Sequence, residues 1–184
     1  MYYEIEIEGL KRQLPICKVN DDLYIAAFIM FGDVEITKAT AKALLAKAPE
    51  YDIMITAASK GIPLAYEMAR QSGANDYIVA RKGAKLYMQD VISTEVDSIT
   101  TDHIQTLCLG KDDADKLRGR RVLIVDDVIS TGESLKSIEL LVNKCGGNVV
   151  GKMTVLAEGA AAERDDIIYL EPLPVFNADG TAKK

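Results

Sequence analysis

Histidine and cysteine are scarce in this chain, long apolar runs are missing, and basic residues are outnumbered by acidic ones. The single histidine, His103, sits in a polar segment where a surface position is expected, and no Cys or His spacing makes a zinc site. Cys17, Cys108 and Cys145 are odd in number, far apart, and each close to apolar residues. They are expected to be reduced packing thiols, not a disulfide framework or a metal site. No apolar run approaches the length that crosses a bilayer, so no membrane association is expected. The opening Met-Tyr-Tyr-Glu-Ile-Glu carries acid where a signal peptide carries base, which makes the cytoplasm the expected compartment. With 22 Lys and Arg against 28 Asp and Glu, the net charge is −6. A general nucleic-acid binder, which draws affinity from clustered cations, is therefore disfavoured, and any anionic ligand has to be caught by local features. Neither GxGxxG nor GxxxxGK[ST] occurs, so dinucleotide and Walker-type nucleotide sites lack support.

What is present suits one soluble globular domain: 184 residues, 48% hydrophobic and 27% charged, with length enough to bury a core. Its most informative stretch is Arg121 to Leu135. Val122 to Val125 is an unbroken apolar, β-branched run, the pattern of a central parallel strand covered on both faces. Asp126 and Asp127 then stand at the carboxyl end of that strand, where open α/β sheets bind ligands. Ser130, Thr131, Gly132, Glu133 and Ser134 supply hydroxyls, a flexible glycine and backbone amides at the start of a helix expected over Glu133 to Lys144. Amides and the positive end of the helix dipole converging on one point make an anion site. Two carboxylates beside it call for a ligand that is both anionic and rich in hydroxyls or metal, as a sugar phosphate is. Two other readings fit parts of this stretch. A Leu-Ile-Val-Asp-Asp run also opens receiver domains, but near their start, whereas here it lies two-thirds along the chain. The carboxylates could also be a solvated strand end beside an ordinary helix cap.

The rest of the chain places this stretch in a fold. Tyr3, Ile5 and Ile7 alternate with glutamates as in a half-buried strand, and Leu14 to Val19 and Leu23 to Phe28 flank a turn at Asn20-Asp21-Asp22. A helix is expected from Asp33, its cap, through about Lys47. Ile53 to Thr56, a helix from Pro63 to Arg70 and Tyr77 to Ala80 make a βαβ unit, hence a parallel sheet. Its loop, including Ser59, Lys60 and Gly61, ends on a helix start and offers a second anion site. Residues 81–110 break that rhythm. Arg81, Lys82 and Lys85 cluster around Gly83, and three cations near a sheet end in an acidic protein favour a functional excursion over a solvated hairpin. Lys111 to Arg120 reads as a charged linker, Val149 to Leu156 as a strand, Glu158 to Asp166 as a loop of small residues, and Ile167 to Leu170 and Leu173 to Phe176 as extended runs. Asn177 to Lys184 reads as frayed.

The run Val125-Asp126-Asp127-Val128-Ile129-Ser130-Thr131-Gly132-Glu133-Ser134 resembles the signature of the type I phosphoribosyltransferases, which bind 5-phosphoribosyl-1-pyrophosphate (PRPP). The resemblance extends from about Val19 to Glu171 and is closest to the purine branch: adenine and xanthine phosphoribosyltransferases and the PRPP-sensing purine repressors. Ala80 to Lys85, Val96 to Thr100 and His103 to Leu107 resemble that branch's flexible loop, and Val155 to Gly159 its strand end leading to the hood. It implies an α/β fold, a central parallel sheet flanked by helices with a small β-rich hood, in one domain over 1–184, with a core about 33–156 and a hood from about 1–32 and 157–176. A homodimer is also implied.

By the same resemblance, Ser130 to Ser134 hold the 5-phosphate and Asp126 and Asp127 the ribose hydroxyls. Ser59, Lys60 and Gly61 bind pyrophosphate, and Arg81, Lys82 and Lys85 close over the leaving group. Mg²⁺ is the implied cofactor, bridging pyrophosphate to ribose, with Asp126 and Asp127 within its reach. Tyr24 and Glu158 are the base-side candidates. Two departures bear on the base. The hood run Leu23-Tyr24-Ile25 is less polar than in the xanthine branch, and Gly159 stands where that branch often has Lys. A lone carboxylate only accepts, for example from adenine's exocyclic amine, so Glu158 leans towards adenine unless it points to solvent or pairs with Arg164. The expected activity is purine salvage from PRPP with release of pyrophosphate. A PRPP-binding regulator without catalysis is the alternative, set second because no basic winged-helix segment precedes the domain.

Overall fold

The computed structural model describes residues 1–97 and 104–183. Five parallel strands in the order β10-β9-β8-β4-β5 form the central sheet: β4 (Ile53–Ala57), β5 (Ile78–Ala80), β8 (Arg121–Ile129), β9 (Asn148–Glu158) and β10 (Ile168–Leu173). Strand β8 is central, as its apolar run requires. Leu123 and Val125 face one layer with helices α1 (Val34–Lys47) and α2 (Ile62–Ser72), and Val122 and Ile124 face the other with α3 (Lys111–Leu117) and α4 (Glu133–Lys144). Alternating side chains thus feed two separate apolar layers, which is why no polar residue interrupts the strand between Arg121 and Asp126.

A second, antiparallel sheet has the order β1-β2-β3-β11, from β1 (Tyr2–Ile7), β2 (Leu10–Lys18), β3 (Tyr24–Ala26) and β11 (Val175–Phe176). This is the hood. Strand β10 lies in the parallel sheet, so within 157–176 only β11 pairs with the antiparallel one. Arg12 of β2 ties the hood to the core: its Nε donates to Asp33 Oδ2 at 2.6 Å, while Asp33 caps α1 by accepting from the Ile36 amide at 3.1 Å.

The excursion after β5 forms a hairpin of β6 (Ile92–Asp97) and β7 (Ile104–Leu109), and it is fastened to α4. Lys144 Nζ donates to the Ser93 carbonyl at 2.7 Å and Thr94 Oγ1 to the Ser137 carbonyl at 3.3 Å. His103 and the central part of the loop resemblance lie outside the described residues.

Four expectations need correction. Lys111–Leu117 is a helix, not a linker: Ala114 and Leu117, one turn apart, are its only buried residues, and ion pairs such as Lys111 to Asp115 at 3.2 Å line its exposed side. So sparse an apolar stripe hides in a charged sequence. Residues Gly159–Glu163 are a 3₁₀ turn rather than an open loop. The tail from Asn177 is pinned, with the Lys183 amide donating to the Val175 carbonyl at 2.7 Å and Lys183 Nζ to the Asp22 carbonyl at 2.6 Å. Cys108 and Cys145 are buried packing thiols, but Cys17 is exposed on β2.

Candidate active site

The carboxyl ends of β4 and β8 open onto a cavity of ≈ 210 Å³. Its walls are the loop after β4 (Ala57, Ala58, Ser59, Lys60), the end of β8 (Asp126 to Ser130), the α4 entry (Thr131, Gly132, Ser134, Leu135) and Lys82. Strand ends and helix starts meet here because each βα unit of a parallel sheet turns on the same edge. The two anion loops expected from the sequence therefore face one space, with the acidic pair between them.

Asp127 is 2% exposed, and its Oδ2 has no hydrogen-bond partner. Lys60 Nζ stands 3.9 Å from that oxygen, close enough for attraction but beyond a hydrogen bond. Asp126 Oδ1 accepts from the Asp127 amide at 2.9 Å. Burial, and after it the neighbouring Asp127 charge, holds the Asp126 carboxyl well above the usual carboxylate range. A carboxylate oxygen left orphaned in the protein alone fits a ligand hydroxyl or a hydrated cation. Among the described residues no group of three or more His, Cys, Asp or Glu could hold a metal by itself. That donor set suits Mg²⁺, which is commonly held by one or two carboxylates together with substrate phosphates.

Thr56 Oγ1 is the second orphaned buried polar atom, one residue before Ala57. No motif marks it; its only sequence signal is a place at the end of a strand. A Cβ on Gly61 would collide with Thr56 Oγ1 and lie 2.9 Å from Asp126 Oδ1, so glycine lets α2 begin against the acidic strand. Gly132 adopts φ +81 as the cap of α4. This left-handed turn aims the first turn of the helix at the cavity, and its dipole favours an anion there.

Other expected residues are distributed around this centre. Lys82 lines the cavity, whereas Arg81 and Lys85 line an adjoining one with Ala58, Ser59, Lys82 and Gly83. Arg81 is anchored by paired backbone hydrogen bonds to Cys108, at 3.0 and 2.8 Å. Glu133 starts α4 but does not line the cavity. Tyr24 packs, half-buried, against the hood-side apolar layer and is not among the lining residues. Glu158 is 7% exposed at the end of β9; the register pairs Ala157 with Ile129, which sets Glu158 beside Ser130. Burial raises its carboxyl above the ordinary range, opposed by a hydrogen bond with Ser130 and the charge of Lys60. It neither faces solvent nor pairs with Arg164, which is engaged by Asp166.

The phosphoribosyl transferase domain family matches residues 33–179, which include both anion loops and the acidic pair. The chain belongs to the phosphoribosyltransferase family. Its enzyme class is accordingly glycosyl transfer of the pentosyl kind. Adenine phosphoribosyltransferase of Rhodococcus jostii is 31% identical over 139 residues, 74% of each chain. The purine biosynthesis repressor PurR of Bacillus subtilis is 33% identical over 130 residues, covering 70% of this chain but 45% of the repressor, so the chain spans about half of that protein. Orotate phosphoribosyltransferase of a Thermoanaerobacter species is 30% identical over 134 residues, 72% of this chain and 59% of that one. In three dimensions, adenine phosphoribosyltransferase from Thermoanaerobacter pseudethanolicus superposes with a TM-score of 0.65 at 21% identity, covering 94% of this chain and 95% of that one. That likeness establishes the type I phosphoribosyltransferase fold.

Proposed function

We propose that this phosphoribosyltransferase is a purine salvage enzyme that transfers the phosphoribosyl group of PRPP to a purine base, adenine ahead of xanthine, releasing pyrophosphate. One observation carries the reading: Asp127, whose buried Oδ2 has no hydrogen-bond partner, lines a single cavity between two helix-start anion loops. PRPP has a phosphate at one end, a pyrophosphate at the other and ribose hydroxyls between, which is the combination of groups that two anion loops flanking an acidic pair support.

In this reading the hydroxyls and amides of the Ser130 to Ser134 loop hold the 5-phosphate, and Asp126 and Asp127 accept from the ribose hydroxyls. Ser59, Lys60 and Gly61 hold pyrophosphate, with Lys82 over it and Arg81 and Lys85 approaching from the adjoining cavity. Asp126 and Asp127 would help hold Mg²⁺ together with PRPP, and the ion would supply neutralisation of charge on the pyrophosphate. The protein supplies no nucleophile. It fixes the ribose while the base nitrogen displaces pyrophosphate at C1, and its cations stabilise the charge that builds on the leaving group. Burial of Glu158 supports a base-side role, since a buried carboxylate beside the ribose loop selects donors such as an exocyclic amine.

The repressor relative supports a second reading, a PRPP-binding regulator without turnover. One assay separates the two: radiolabelled adenine with PRPP and Mg²⁺, followed for nucleotide and pyrophosphate, beside calorimetry of PRPP binding. Turnover that fails in Asp126→Ala/Asp127→Ala is expected. PRPP binding without turnover on any purine would favour the regulator, and binding unchanged in the double variant would place the site elsewhere.

A further inference from the structure

The 5-phosphate loop has an unusual charge balance for an anion site. Ser130 to Ser134 contains one acid, Glu133, and no base, and Lys60 is directed to Asp127 across the cavity. One cation that packs on this loop comes from elsewhere in the chain. Arg164, which follows the 3₁₀ turn after β9, places its Nη1 against Gly132; a Cβ there would run into that nitrogen and lie 3.7 Å from the guanidinium carbon.

The guanidinium is held in place. Arg164 Nε donates to Asp166 Oδ1 at 2.8 Å and Nη2 to Asp166 Oδ2 at 2.7 Å, a two-point pair that fixes the plane of the fork and turns Nη1 towards the loop. Asp166 is braced in turn by Lys152 Nζ at 2.9 Å, and Lys152 reaches Glu139 of α4 at 2.6 Å. The network joins the segment after β9 to the helix whose first turn forms the anion site. Its charges balance, Arg164 and Lys152 against Asp166 and Glu139, so its effect on the loop depends on which charge lies nearest. That charge is the Arg164 guanidinium.

We propose that Arg164 is a positioning residue for the 5-phosphate end of the substrate: it packs on Gly132, supports the left-handed turn of the loop, and brings the loop a cation that its own sequence lacks. The inference rests on the sugar-phosphate reading of this site and adds to it a residue from outside the motif. The geometry also explains why glycine is required at 132. A side chain there would both strain the φ +81 backbone and displace the guanidinium.

The test uses ribose 5-phosphate and magnesium pyrophosphate as separate calorimetric ligands, because they report on opposite ends of the cavity. Arg164→Gln should weaken ribose 5-phosphate about tenfold and leave pyrophosphate within about twofold, the size expected for one charge-assisted interaction. Arg164→Lys, which keeps the charge but cannot make the two-point pair with Asp166, should fall between. Glu139→Gln, which loosens the same network at its far end, should leave both ligands within about twofold. Ribose 5-phosphate binding unchanged in Arg164→Gln would overturn the inference while the site stands. Equal losses of both ligands, or a loss in Glu139→Gln matching that in Arg164→Gln, would also overturn it by making the network merely structural. Wild type binding neither ligand would remove the sugar-phosphate reading and this inference with it.

Discussion

Lys60 Nζ stands 3.9 Å from Asp127 Oδ2 and joins the loop after β4 to the end of β8 across the cavity. The lysine is half exposed and the aspartate 3% exposed at its side chain, so the pair is asymmetric: an exposed cation beside a buried carboxylate. An isolated buried carboxylate costs several kcal/mol in order of magnitude, and a cation just beyond hydrogen-bond range recovers only part of that. The arrangement is ready for a ligand that places a hydroxyl or a cation between the two groups.

Gly61 and Gly83 make a paired test of how tightly this arrangement is built. A methyl group at 61 meets Thr56 Oγ1 and Asp126, whereas at 83 nothing lies within 4 Å. Gly61→Ala should cost about 1–3 kcal/mol of stability from overpacking and lower kcat/KM by about tenfold or more as Asp126 is displaced. Gly83→Ala should leave thermal stability almost unchanged. Equal melting temperatures for the two variants would show that the close approach at Gly61 relaxes freely.

Lys82 and Lys85 are neighbours in sequence but line different walls, Lys82 the cavity of the acidic pair and Lys85 only the adjoining one. Lys82→Ala should therefore weaken PRPP in the ground state, raising its KM about tenfold. Lys85→Ala should lower kcat by about tenfold or more with little change in ribose 5-phosphate binding, because a cation outside the resting cavity acts when the leaving group carries most charge. Steady-state kinetics with both variants would show it. A matching rise in KM for both would make them one static pocket.

Much of this was legible in the sequence, for a physical reason. The run from Val122 to Ser134 combines a buried strand, a strand-end acid pair and a helix entry, all of which are local patterns. The parallel sheet followed from the βαβ spacing. What could not be read were contacts that no local pattern encodes: Glu158 beside Ser130, Arg164 on Gly132, and Thr56 beneath Gly61. Helix α3 escaped because only Ala114 and Leu117 mark its buried face, and the tail because its anchors are mostly backbone groups, which leave no trace in residue type.

Acid should act through α2, the helix that follows the loop after β4. Glu67, nearly buried, accepts from Arg70 Nη2 at 2.7 Å and from Gln71 Nε2 at 2.8 Å, and Gln71 also donates to the Lys38 carbonyl of α1. The Arg70 hydrogen bonds in particular lower its carboxyl to about 2 from an ordinary 4.5. A depressed carboxyl stabilises the fold above its unfolded value, and that stability is lost as pH falls from about 4.5 through about 2. Glu67→Gln should melt below wild type at pH 7, and the gap should close as pH falls through that window. Asp52, held near 2 by Arg121, titrates in the same range in both proteins and cancels in the difference. A gap independent of pH would mean that Glu67 contributes by packing and not by charge.

The choice of base turns on Glu158. Its carboxyl is buried at the end of β9, hydrogen-bonded with Ser130, and within the field of Lys60. Burial, the largest influence, raises the carboxyl above its ordinary range, while those two partners favour the ionised form. An exocyclic amine facing it stabilises the carboxylate by donating; the carbonyl of a 6-oxopurine faces it only at the expense of a proton or a repulsion. Gly159 supplies no cation to meet such an oxygen. A buried mismatch of this kind costs about 1–3 kcal/mol, or roughly fivefold to over a hundredfold in discrimination. Adenine should therefore exceed xanthine, hypoxanthine and guanine in kcat/KM, and Glu158→Gln, which keeps the shape and adds a donor, should narrow that ranking more than it lowers PRPP affinity. The measurement is kcat/KM for the four bases in both proteins at one pH, with PRPP binding as the control. If Glu158→Gln left the ranking intact and weakened PRPP instead, Glu158 would serve Ser130 and the ribose loop, and the base would be selected by another wall of the site.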